Sequence, residues 1–280
     1  MSTADIEAKV VKVPSGKRLF VDVIPGPSVD APTIFFMHGL GSNTSFWEAP
    51  FTGSKLTQTY RLVRYDFDGH GLSPVSSLAA ASGSGMLTLD DLVEDLGAVM
   101  DFVRVEKAAG IVGHSMSGLV ASTFAARYPE RVDKLFLLGA MRALNPAVQT
   151  SMLQRASTVR AHGLSAVVEG VISSALSSNT KANSPLSIAF VRALVLSTPP
   201  LGYAAACHAL AGASNPDFGA IKAKTLVVAG AEDYLSNKET SDFFLEKITG
   251  AERIELDDVG HWPCLEAPVS VREVFEQFFL

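Results

Sequence analysis

Cysteine is scarce in this chain, with only Cys207 and Cys264 among 280 residues. Their spacing fits neither a zinc site nor a redox pair separated by two residues, so they read as two reduced thiols rather than a disulfide. Long hydrophobic runs are missing too: none approaches the roughly 18 residues a membrane-spanning helix needs. The first residues, Met-Ser-Thr-Ala-Asp-Ile-Glu, carry acids early and lack the apolar stretch of a secretion signal. These absences predict a cytoplasmic protein. An excess of positive charge is also lacking. The formal net charge is −6, which disfavours nucleic acid or an anionic membrane as a partner. It leaves room for a small anionic substrate, because one local arginine outweighs a mild global charge. Charged residues make up only 19% and hydrophobic residues 48%, so the chain can bury a sizeable core and is not disordered. No internal repeat is present.

What the chain does have is alternation. Short apolar runs predict strands at residues 9–13, 18–24, 33–37, 60–65, 109–113, 132–138, 225–229 and 253–256. Several are nearly continuous Val, Ile, Leu and Phe, as in strands of a parallel sheet buried on both faces. Helical periodicity falls between them at 88–104, 116–128, 238–248 and 268–279. The helix at 88 opens Thr88-Leu-Asp-Asp, with acids where the helix dipole favours them. The class is therefore α/β with a mostly parallel eight-stranded sheet. Between about residues 142 and 219 the alternation gives way to helices with polar breaks at 177–184 and 214–216. This stretch reads as an all-helical cap inserted after the sixth strand, over a core of residues 1–141 and 220–280. Residues 76–85, rich in Ser, Ala and Gly, read as a flexible loop.

The strongest chemical signal is Gly113-His-Ser-Met-Ser-Gly118. A buried strand runs into Ser115 and a helix begins at once, the pattern of a sharp turn that lifts a serine hydroxyl above the sheet edge. Gly113 supplies the small residue two before the serine. The position two after it is Ser117, with Gly118 one step later, a departure from the usual G-x-S-x-G. The helix start also aims free N–H groups at the same point, Met116 N–H first among them. After the strand at 33–37 comes His38-Gly-Leu-Gly-Ser42, whose glycines permit a tight turn beside a substrate. Leu40 N–H is the natural second oxyanion donor, and His38 fits a loop-shaping role. Phe46 reads as packing, while Trp47 is a candidate pocket residue.

A serine hydroxyl needs a base and an orienting acid. His261 lies beyond the last predicted strand, at the same sheet end as Ser115. His162 and His208 fall in the helical stretch, His70 sits in a glycine-rich turn, and His114 is expected to point away. Asp233, after the strand at 225–229 and a glycine turn, is the acid. Glu232 suits a solvated face, and Asp257 and Asp258 suit a loop. The chain order Ser, Asp, His is the one expected of this strand–turn–helix arrangement.

Together these segments, with Asp66-Phe-Asp-Gly-His-Gly-Leu-Ser73, Gly230-Ala-Glu-Asp233 and Gly260-His-Trp262, resemble the α/β-hydrolase superfamily. Within the helical stretch, Met152-Leu-Gln-Arg-Ala-Ser-Thr-Val-Arg-Ala-His-Gly-Leu164 and Thr198-Pro-Pro-Leu-Gly-Tyr-Ala-Ala-Ala-Cys-His-Ala-Leu210 resemble the cap of 3-oxoadipate enol-lactonases. That resemblance implies cleavage of a small enol-lactone or carboxylic ester, with no metal or organic cofactor. If the substrate bears a carboxylate, Arg155 and Arg160 are the candidates to meet it. Three other readings share the core: a C–C bond hydrolase, a slow-turnover ligand receptor like the plant strigolactone and karrikin receptors, and a cofactor-free perhydrolase or haloperoxidase. Serine at position 115 argues against epoxide hydrolases and haloalkane dehalogenases, which carry aspartate there.

Overall fold

The structure is a computed structural model and describes residues 9–80 and 86–280. Its centre is an eight-stranded sheet in the order β1-β2-β4-β3-β5-β6-β7-β8. β1 (Lys9–Lys12) and β2 (Arg18–Ile24) form a hairpin, and β2 pairs antiparallel with β4. β3 (Thr33–Met37), β4 (Arg61–Tyr65), β5 (Gly110–His114), β6 (Lys134–Leu138), β7 (Lys224–Gly230) and β8 (Glu252–Leu256) pair parallel throughout. Every residue of β3, β4 and β5 is buried, including Arg61 and Arg64 of β4, whose guanidinium groups are hydrogen-bonded. The chain runs out from β3 and back to β5 across the sheet, so the carboxyl ends of β3, β5, β6 and β7 converge on one edge, where open α/β sheets bind ligands.

Helices cover both faces. In chain order they begin with two short pieces, α1 (Glu48–Phe51) and α2 (Ser77–Ala80), followed by α3 (Leu89–Phe102) and α4 (Met116–Arg127). Thr88 caps α3 in a capping box with Asp91, a reciprocal pair that satisfies two otherwise orphaned groups. Between β6 and β7 lie only helices: α5 (Pro146–His162), α6 (Val168–Ala175), α7 (Ser178–Asn183), α8 (Pro185–Ser197) and α9 (Pro200–Ala211), with a short 3-10 turn after α5 and another after α9. α10 (Lys238–Lys247), α11 (Pro263–Glu266) and α12 (Pro268–Phe279) complete the chain.

Two expectations are corrected. Residues 177–184 are not a break. Ser177 accepts the Thr180 N–H and starts α7, so its polar side chains cap a helix. The expected loop at 76–85 holds a helical turn at Ser77–Ala80, started by the Ser76 hydroxyl, which accepts the Ala79 N–H. The rest of that stretch, 81–85, lies outside the described residues. Cys207 and Cys264 are both buried and unbridged. Among the described residues no single helix is long and apolar enough to cross a membrane; α8 and α9, apolar taken together, meet at 93°.

Candidate active site

Ser115 stands at the junction of β5 and α4 with φ 57° and ψ −122°, a conformation that costs a non-glycine residue about 1–3 kcal/mol. The surroundings hold it there. A Cβ on Gly113 would fall 2.5 Å from the Ser117 carbonyl oxygen, and one on Gly118 would fall 2.3 Å from Ala140 Cβ. The second tight spot therefore lies at Gly118, not at Ser117, and the sequence departure is accommodated. The Ser117 hydroxyl faces the Met37 and His114 carbonyls at 2.6 and 2.8 Å, tying the elbow to the end of β3.

Three distant side chains meet above this turn. The Ser115 hydroxyl lies 2.8 Å from His261 Nε2, and His261 Nδ1 lies 2.8 Å from Asp233 Oδ2. With Nδ1–H donating to the carboxylate, Nε2 is left as the acceptor of the serine proton. Asp233 Oδ1 accepts the N–H groups of Leu235 and Ser236. Burial works against its charge, yet the His261 ring and these N–H groups outweigh it and hold the carboxyl below its ordinary range. Asp233 thus stays ionised and fixes the imidazole tautomer. Asp257 and Asp258 lie on an exposed turn. Glu232 is more than a solvated face: its carboxylate accepts both the N–H and the hydroxyl of Ser178 at the start of α7.

The loop after β3 passes directly beside Ser115. A Cβ on Gly39 would lie 3.0 Å from Ser115 Cβ, so only glycine permits this approach. His38 shapes the loop as expected. Its Nδ1–H donates to the Gly39 carbonyl at 2.8 Å, while Phe67 N–H donates to its Nε2 at 3.1 Å. Burial lowers its pKa to about 4, keeping it neutral. Leu40 reaches a cavity of about 130 Å³ that also exposes Ser115 and His261. Met116 opens α4, and its N–H belongs to the first turn, which has no acceptor within the helix.

The cavity is roofed by α5, α6 and α9 and floored by the β-strand loops. Its lining is mainly apolar, including Met141, Met152, Val171, Leu210 and Trp262. Ser151, Arg155 and Tyr203 are the polar residues of the roof. Arg155 bonds the Tyr203 phenol, whose pKa burial raises to about 12, so that it remains a neutral donor. Tyr203 is seated by backbone contact: Gly202 lies so close to Gly69 that a Cβ would fall 2.0 Å from the Gly69 carbonyl oxygen. Among the described residues no three His, Cys, Asp or Glu side chains gather as a metal site would.

Two candidate pocket residues lie elsewhere. Trp47 is wholly buried, packed edge-on against Phe36 and Phe46; it sits in a 3-10 turn facing the sheet and belongs to the core. Arg160 donates to the Ala79 carbonyl of α2 and is not among the cavity residues. Sequence reasoning missed Trp262 and Tyr203. Trp262 carried a signal, being the residue after the histidine on the same loop. Tyr203 carried one too, lying in the Thr198–Leu210 run that resembles the enol-lactonase cap.

Residues 32–268 match the alpha/beta hydrolase fold family. Over 277 residues the chain is 29% identical to 3-oxoadipate enol-lactonase 1 of Acinetobacter baylyi, covering 98% of each. The solved enol-lactonase of Burkholderia xenovorans superposes with a TM-score of 0.86 at 26% identity, covering 96% of this chain and 99% of that one. A thermophilic esterase from Thermogutta terrifontis shares the fold, with a TM-score of 0.86 at 24% identity over 97% of both chains. On the extent of that family match and the sheet beneath it, this protein belongs to the alpha/beta hydrolase fold family and is a hydrolase.

Proposed function

We propose that the chain cleaves small carboxylic esters or lactones through an acyl-enzyme, with Ser115, His261 and Asp233 as its catalytic triad. The observation that carries this reading is the continuous hydrogen-bonded line from Ser115 Oγ through His261 to Asp233, opening on a small, mainly apolar cavity. Ser115 Oγ attacks the carbonyl carbon while His261 Nε2 takes its proton, and Asp233 stabilises the imidazolium. The oxyanion is held by the N–H groups of Leu40 and Met116, each such donor being worth about 3–4 kcal/mol. His261 returns the proton to the departing oxygen. In a lactone that oxygen stays tethered to the acyl group. Water, deprotonated by His261, then releases the acid and frees Ser115.

The cavity volume of about 130 Å³ is well below the roughly 300 Å³ lower end of drug-sized sites, which favours a compact acyl group. Arg155, beside Tyr203 in a mainly apolar roof, supports a substrate that carries its own carboxylate, since a guanidinium pairs with that group through two parallel bonds. The overall likeness to enol-lactonases points the same way. The test is a screen of lactones and aryl esters, charged and neutral, with wild type, Ser115→Ala and Arg155→Met. Ser115→Ala is expected to lose at least a thousandfold in kcat. Arg155→Met is expected to raise KM about tenfold or more for carboxylate-bearing substrates and leave neutral esters within about twofold, a buried charged pair being worth 1.4 kcal/mol or more. Equal losses on both substrate types would remove Arg155 from the reading.

A further inference from the structure

His261 is gripped through its backbone as well as its ring, and much of the grip comes from the helical segment between β6 and β7. The His261 N–H donates to the carbonyl of Ala175, the last residue of α6, at 2.6 Å. Its own carbonyl accepts His114 Nε2–H at 2.7 Å. On either side, a single carboxylate collects the neighbouring N–H groups. Trp262 N–H donates to Glu266 Oε1 at 2.9 Å and Gly260 N–H to Glu266 Oε2 at 3.1 Å. The same Oε2 accepts the N–H of Ser177, at the start of α7, at 2.8 Å. Gly260 makes this possible. A Cβ there would fall 2.6 Å from the Ala175 carbonyl oxygen and 2.7 Å from Ser177 N, so the base loop and the α6–α7 junction meet backbone to backbone.

We propose that Glu266 is a positioning residue, the clamp through which the α6–α7 junction fixes His261 at hydrogen-bonding distance from Ser115. This rests on the triad reading above. The chemistry of the side chain makes the role specific. A carboxylate is acceptor-only on both oxygens and can serve three N–H groups at once. A glutamine of the same shape offers one oxygen, and its NH₂ would face an N–H. The roof helices on this account do more than enclose the substrate: moving the α6–α7 junction moves the base.

The experiment compares Glu266→Gln and Glu266→Ala with Glu232→Ala, using p-nitrophenyl acetate turnover, thermal melting and the low-field proton resonance of His261 Nδ1–H. Glu232 is the control because it also anchors α7, through Ser178, without touching residues 260–262. Displacing a catalytic group by about 1 Å costs on the order of a hundredfold. Both Glu266 variants are therefore expected to lose roughly ten- to a hundredfold in kcat with KM within twofold, and to shift or broaden the resonance. Glu232→Ala is expected to keep kcat and the resonance while melting lower. Should Glu266→Ala fail to fold, Glu266→Gln, which keeps the side chain's shape, carries the test. Folded Glu266→Gln with wild-type kcat and an unmoved resonance would overturn the proposal, as would equal effects from Glu232→Ala. Ser115→Ala run alongside separates the two failures: if it hydrolyses at the wild-type rate, the triad reading itself falls.

Discussion

At the scale of single residues, the backbone of Ser115 is the most telling feature. Ser115 is one of three non-glycine residues at positive φ among those described, and it holds that conformation because the strand and helix on either side leave no other path. Stability and activity should therefore separate here. Ser115→Gly and Ser115→Ala both remove the hydroxyl, but only glycine relieves the strain. Ser115→Gly is expected to unfold at a higher free energy than Ser115→Ala by about 1 kcal/mol or more, measured by urea denaturation, with both variants inactive. Equal stabilities would mean that the elbow is unstrained. The positions of Ser115, Asp233 and His261 were legible because each sits where a strand ends, and strand ends can be read from apolar runs. The direction of a tryptophan cannot be read that way. Trp47 and Trp262 both flank chemistry in sequence, yet the turn geometry sends Trp47 into the core and leaves Trp262 bordering the cavity.

Elements were legible wherever local physics decides them. The buried strands fall within a residue or two of the apolar runs, and the helices from 116, 238 and 268 begin where periodicity places them. What could not be read is what elements do to one another. Glu232 and Glu266 bond to N–H groups 54 and 89 positions away in sequence, and no local pattern announces such contacts. The same holds for the tie between the β1–β2 hairpin and α3. Lys17 Nζ meets Asp95 Oδ2 at 2.7 Å, with both side chains 2% exposed. Burial pushes the Asp95 pKa up to about 6 even with Lys17 opposing it. Lys17→Met strands that carboxylate, at an expected cost of about 3–5 kcal/mol at pH 8. The folded pKa lies above the unfolded one, so Asp95 favours the fold while protonated and disfavours it as pH rises through 6. The penalty of Lys17→Met is accordingly larger at pH 8 than at pH 5, and Lys17→Met with Asp95→Leu recovers most of it. A pH-independent penalty in thermal melts would contradict this.

Across the whole molecule, buried neutral histidines set the response to acid. Burial drives His70 and His114 down to about 3 and His38 to about 4. Their unfolded counterparts titrate near 6.5. Such a group stabilises the fold above its unfolded pKa, and that contribution is lost as pH falls towards the folded value. Between pH 6.5 and about 3, wild type should lose up to about 1.4 kcal/mol per pH unit more than His70→Gln, which has no proton to take up. Parallel losses in the two proteins would show His70 charged in the fold. All three rings serve the same sheet edge, where the β3 loop, the elbow and the base loop come together, so acid is expected to loosen the site first. That convergence is the central claim, and mass spectrometry of the protein quenched during turnover of a slow aryl ester tests it most directly. The account predicts an acyl adduct on the peptide containing Ser115, absent from Ser115→Ala. Undiminished hydrolysis by Ser115→Ala, with no adduct at Ser115 in wild type, would contradict it.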